Sequence, residues 1–126
     1  MTTAVASPHP NGVWVRGLPN GLVWCGLDPC LHPMALTTTV ARTGVYQCTH
    51  ACRRPERVFA VRLEEAVGVA LMQAVPTAIR EYAQVMELPV CVAVAIRAAP
   101  HLLTRITVGH RPNQIRLTWR HHGDPA

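Results

Sequence analysis

Four cysteines fall in two close pairs, Cys25-x4-Cys30 and Cys48-x3-Cys52, separated by 17 residues. Thiolates grouped in this way suit zinc, which in structural sites takes four ligands tetrahedrally, with sulfur at about 2.3 Å. Two loops that each offer two sulfurs meet that geometry. The metal would also replace the core that a short β-rich segment cannot build alone. The expected ligands are therefore Cys25, Cys30, Cys48 and Cys52, and the expected cofactor is Zn. The common spacing within each pair is two residues, so the wider loops leave two other readings open: reduced, partly buried cysteines without metal, and a disulfide. His32 and His50 lie beside the ligands and read as loop residues, with substitution for one cysteine as the alternative. Cys91 stands apart in an apolar run and reads as a small buried core residue.

The same residues exclude other chemistry. Four thiolates leave a zinc ion no open position, and no glutamate lies in the loops to serve as a base. Asp28 is the only acid before Glu56, which removes paired-carboxylate chemistry from this half of the chain. The His-x-Glu and Pro-Cys-x-x-Cys signature of the nucleobase deaminases is absent. Ser7 is the sole serine and sits beside a proline in an aperiodic stretch, so a serine nucleophile is not expected. The chain reads as a non-enzyme.

The scaffold for such a site follows from composition. The chain has 126 residues, 49% hydrophobic and 15% charged. A chain of this size buries roughly two-thirds of its surface on folding, and its composition is unlike that of a disordered segment. No run of about 18 apolar residues is free of charge or proline, which argues against a spanning helix. The N-terminus lacks the basic and apolar regions of a secretory signal, so a reducing, cytoplasmic setting is expected, where structural disulfides are disfavoured. All 12 basic residues are arginine, and against 7 acids they give +5. Arginine's planar fork suits phosphate and guanine, although a GC-rich genome accounts for the missing lysine equally well.

The fold class expected is α+β: a small zinc β-ribbon, then one or two helices and a C-terminal antiparallel β-hairpin or small sheet. Residues 1–11 read as a flexible tail, 12–57 as the ribbon, 58–120 as a helix-plus-hairpin unit and 121–126 as a frayed tail. Within the ribbon, Pro19-Asn20-Gly21 marks a turn, and Leu36 to Val40 and Val45 to Gln47 read as strands. Leu63, Val67, Leu71 and Ala74 recur at helical spacing from about residue 60 to 75. Pro76 either kinks that helix or opens a second one, over about 77–86. From Leu88 to Ile96 the alternation of Val90, Val92, Val94 and Ile96 favours a strand, with a buried helix as the competitor. Leu103 to Val108 and Gln114 to Arg120 flank a Gly-His-Arg-Pro-Asn loop and read as a hairpin. Ile106, Val108, Ile115, Leu117 and Trp119 would face the core, and Arg105, Thr107, Arg116, Thr118 and Arg120 would face away from it.

The run Gly21-Leu22-Val23-Trp24-Cys25-Gly26, followed by Cys30, Met34, Val45-Tyr46-Gln47-Cys48, Cys52 and Phe59-Ala60-Val61-Arg62-Leu63-Glu64-Glu65-Ala66-Val67, resembles the zinc β-ribbon region of large serine recombinases. In that family a Gly-Leu strand and a cysteine loop lead to a Tyr-x-Cys strand, a further cysteine and a helix opening with Leu-Glu-x-x-Val. The resemblance covers roughly residues 13–75. Residues 105–109 and 114–120 look like strands that often close those recombinases. It implies that Cys25, Cys30, Cys48 and Cys52 hold zinc and that the region binds DNA beside a crossover site. Three departures stand out: a first cysteine pair wider by two residues, no stretch suited to the family's coiled coil, and no catalytic domain with its serine. Recombinase activity is therefore not expected, and three readings stay open: a remnant, a separately encoded DNA-binding part, or a ribbon recruited to another task.

Two functions follow as expectations. One is a zinc-stabilised module on duplex DNA, contacting it through Arg53, Arg54 and Arg57 where ribbon meets helix and through Arg105, Arg116 and Arg120 on the hairpin. The other is a protein-interaction adaptor, in which surplus aliphatic surface takes a recombinase or other protein partner, or forms a homodimer.

Overall fold

A computed structural model describes residues 18–19, 21–27, 30–38, 43–48, 57–111 and 113–120. The two terminal stretches expected as tails lie outside the described residues. In chain order the elements are β1 (Val23–Cys25), β2 (Met34–Thr38), β3 (Gly44–Cys48), β4 (Val58–Phe59), α1 (Ala60–Ala74), α2 (Pro76–Met86), α3 (Val92–Leu102), β5 (Leu103–Val108) and β6 (Ile115–Trp119). Among the described residues these make three helices and two three-stranded sheets, an α+β architecture with a C-terminal hairpin. No helix among them is long and apolar enough to cross a membrane.

One sheet has the order β2-β3-β4 and is antiparallel throughout, with Met34 opposite Cys48 and Tyr46 opposite both Leu36 and Val58. The other has the order β1-β5-β6. Its β5–β6 pair is the expected hairpin, and β1 joins it in parallel, with Val23 opposite Ile106, Trp24 opposite Thr107 and Cys25 opposite Val108. Leu22 immediately precedes β1 and closes a turn with its N–H on the Pro19 carbonyl at 3.2 Å. Gly21 takes φ +91° there, a value open to glycine at little steric cost.

Helix α1 forms where the 3.6-residue period predicts it, and Leu63, Val67 and Leu71 are its buried stripe. Pro76 opens α2 rather than kinking α1. It stands at the first helical position, where its missing N–H costs nothing, after a break at Val75.

The strand expected over residues 88–96 is corrected: this part of the chain enters helix α3. Val92, Val94 and Ile96 fit period two, but the intervening Ala93 and Ala95 are strong helix formers. The buried set Val94, Ala95, Ile96, Ala98 and Ala99 covers one helical face. Gly68 explains why that face packs so closely on α1. A Cβ at Gly68 would lie 2.6 Å from Val92 Cγ1 and 2.9 Å from the Val92 carbonyl oxygen. Cys91 is likewise not a core residue; it is half-buried and immediately precedes α3.

Much of the core lies between helices α1 and α3 and the inner face of the β1-β5-β6 sheet. Leu63, Val67 and Leu71 meet Ala95 and Ala99 from α3, with Val23, Cys25, Ile106 and Val108 from the sheet in the same cluster. Ile115 and Leu117 pack half-buried against it. Trp119, expected to face inward, is 38% exposed. It ends β6 opposite Leu103, beyond the register shift between Leu103 and Arg105.

Candidate metal centre

Three of the four expected ligands meet. The sulfur atoms of Cys25, Cys30 and Cys48 all lie within 4.8 Å of one another. Tetrahedral zinc–sulfur bonds of about 2.3 Å place ligand sulfurs roughly 3.8 Å apart, a spacing within that bound. Cys25 and Cys30 are buried and Cys48 is half-buried. Among the described residues no two cysteines are joined in a disulfide. Cys52 lies outside the described residues, as do His50, Arg53 and Arg54.

Local backbone structure explains the convergence. Cys25 ends β1, and the chain then folds back on itself. The Cys30 N–H donates to the Leu27 carbonyl at 2.7 Å, closing a tight turn, and the Cys25 N–H donates to the His32 carbonyl at 2.9 Å. Leu31 takes φ +47° to complete the reversal. The Leu27 N–H donates to the Cys25 sulfur at 3.4 Å. Pro33 bridges back to Trp24, and the chain runs straight into β2. Because Met34 at the head of β2 pairs with Cys48 at the end of β3, the β2–β3 hairpin brings the Cys48 sulfur to the loop that holds Cys25 and Cys30. His32 is not part of the cysteine cluster; its Nδ1 donates to the Cys30 carbonyl oxygen.

Gly26 lets this loop lie on the C-terminal hairpin. Its N–H donates to the Val108 carbonyl at 2.8 Å. A Cβ there would stand 2.6 Å from Thr107 Cγ2 and 3.1 Å from the Val108 oxygen.

The outer face of the β1-β5-β6 sheet carries the hairpin arginines. Arg105 stands opposite Thr118 and Thr107 opposite Arg116, and both arginines are exposed. The Arg105 guanidinium lies over the Trp24 ring, 3.9 Å from the ring centre. Arg120 is held differently: its Nε donates to the Pro100 carbonyl at 3.0 Å and its backbone N–H to Leu102 at 2.9 Å. Arg57 is exposed just before β4.

Two features of the site were missed in the sequence. Trp24 stands in the sequence reading only within the Gly21-Leu22-Val23-Trp24-Cys25-Gly26 run, because its role depends on the distant pairing of β1 with β5. The other is a buried polar link under the ribbon. Glu64 is buried in α1 and accepts a hydrogen bond from the Tyr46 hydroxyl at 3.3 Å, and that hydroxyl accepts the Leu18 N–H at 3.0 Å. Burial pushes the Tyr46 hydroxyl well above its usual pKa, so it stays protonated and donates. Glu64 could have been found from its place beside Leu63 and one turn before the buried Gly68.

No family model, curated protein or solved structure matches the chain. The three-cysteine cluster is close enough to bind a metal ion, and its soft thiolate donors suit zinc or an iron–sulfur centre.

Proposed function

We propose that this chain is a zinc-stabilised, non-catalytic module that binds duplex DNA in a reducing cytoplasm, built on the plan of the zinc ribbon of large serine recombinases. Cys52 supplies the fourth thiolate, which closes the coordination shell and leaves the zinc a structural role. The observation that carries the reading is the outer sheet face. Arg105 and Arg116 share it with Thr107 and Thr118, and the edge strand of the same sheet ends in a metal-cluster cysteine. Arginines spaced along a strand pair can follow a phosphate backbone, and the net charge of +5 favours approach to DNA. Arg53, Arg54, Arg57 and Arg120 extend the contact, and a recombinase partner or a second copy of the chain would add a neighbouring site.

A titration of a duplex of about 30 base pairs tests this. Log affinity should fall with log salt by about 0.9 per phosphate contacted. Arg105→Ala and Arg116→Ala should each lower that slope by about one, and Arg53→Ala and Arg54→Ala should weaken binding across all sequences. No duplex binding at low salt, with zinc present at one per chain, overturns the DNA reading.

One observation favours a protein adaptor as the second reading. Val61 and Val69 are exposed on α1, and with Ala66 and Ala70 they line an open groove walled by Arg111, Asn113 and Ile115. Duplex binding that is unaffected by the face arginines, together with a partner that masks Val61, would favour it.

A further inference from the structure

We propose that Trp24 is the positioning residue through which the metal centre sets the basic face, so that metal occupancy controls the orientation of Arg105. The inference rests on the proposed zinc site and deepens the DNA reading by naming how that face is regulated.

Strand β1 is three residues long, and its alternation sends Val23 and Cys25 into the core and Trp24 to the outer face. At the start of the strand the Leu22 carbonyl accepts the Ile106 N–H at 2.7 Å. At the far end its position is shared between β5, through Gly26 and Val108, and the cysteine loop, through Cys25 and His32. A strand this short has little pairing of its own to fix it. A metal on Cys25, Cys30 and Cys48 would tie that end to the cysteine loop and to the β2–β3 hairpin at once.

Trp24 is the neighbour of Cys25 on the same strand and also bridges Pro33. Its indole Nε1 donates to the Gly21 carbonyl at 2.8 Å, which sets the ring plane. The guanidinium of Arg105 then stacks on that plane at 3.9 Å. Stacking occupies the flat face of the guanidinium and leaves its N–H edge for phosphate or guanine. Without the ring, Arg105 is a long side chain with several rotamers to lose on binding.

The test reads Trp24 directly. Trp14→Phe with Trp119→Phe leaves Trp24 as the only tryptophan. Acrylamide quenching of its fluorescence is measured with zinc bound and after chelation, with helix content followed by circular dichroism. The expected result is a quenching constant about twofold higher in the chelated protein, with Arg105→Ala raising it in the zinc-loaded protein as well. Equal quenching with and without zinc overturns the inference, as does an unchanged constant in zinc-loaded Arg105→Ala. Should chelation unfold the helices too, Cys48→Ser, which removes one ligand without a chelator, takes the place of the chelated sample, and a quenching constant equal to that of the zinc-loaded protein overturns the inference.

A second measurement uses duplex DNA on the zinc-loaded protein. Trp24→Ala and Arg105→Ala should each weaken binding about five- to tenfold, and the double variant should lose no more than either alone. Fully additive losses overturn the coupling. Absence of any duplex binding by the unaltered protein would instead count against the DNA reading, and the quenching result would still judge the link between metal and Trp24.

Discussion

The Tyr46 hydroxyl joins β3 to α1 by donating to the buried carboxyl group of Glu64 at 3.3 Å, while the same oxygen receives the backbone N–H of Leu18. One phenol therefore ties the ribbon sheet, the first helix and the segment leading into β1. Tyr46→Phe keeps the ring and removes both hydrogen bonds within the core. Taking one partner from buried polar groups costs about 1–3 kcal/mol. Thermal unfolding should show a melting temperature lower by roughly 4–10 °C. A shift within about 1 °C would mean that water takes over both bonds.

Metal removal should act most strongly on the ribbon. Elemental analysis of protein purified without added metal should give about one zinc per chain, and a colourless sample would separate zinc from an iron–sulfur centre. Chelation, or Cys25→Ser, should abolish the cobalt–thiolate absorption of the substituted protein. Metal binding requires deprotonated sulfur, so affinity should weaken steadily as the pH is lowered from neutral. A protein that folds and melts identically with and without chelator would falsify the site.

Gly68 is expected to tolerate no side chain. In a helix interior, glycine to alanine normally stabilises by up to about 1 kcal/mol. Here the added methyl would meet Val92 at 2.6 Å, and α1 and α3 would have to separate. Gly68→Ala should destabilise by about 1–3 kcal/mol, read as a lower midpoint in urea unfolding. A gain in stability would show that the helix contact is looser than described.

Glu87 offers the opposite case. It ends α2 at φ 57° in the left-handed region, where a side chain costs roughly 1 kcal/mol. Its N–H and that of Leu88 return to the carbonyls of Gln84 and Ala83, which caps the helix. Glu87→Gly should keep the cap and raise stability by about 0.5–1 kcal/mol, measured by the same urea titration.

Helices α1 and α2 and the closing hairpin were legible in the sequence, because each carries a local period and a local stop signal. Pro76 is one such signal, and the turn that closes Gly109 onto Gln114 is another. Helix α3 was not legible. Valine and alanine in strict alternation satisfy a strand face, and it is packing against Gly68, added to the helix propensity of the alanines, that selects the helix. Three of the metal-cluster cysteines could be named from spacing, since both loops are short. The face shared by Trp24 and Arg105 could not, because nothing near residue 24 announces a partner near residue 106.

That parallel pairing also sets an order of events during synthesis. Val23 is made early and its partner Ile106 late, so β1 leaves the ribosome long before the strand that will receive it. The β2–β3 hairpin needs only its own neighbourhood and can close at once. Val23 and Cys25 must therefore wait, solvated or held by the cysteine loop, until the last hairpin emerges. Closing such a distant contact is slow compared with local pairing, which makes the seating of β1 the natural final step in the folding of this chain.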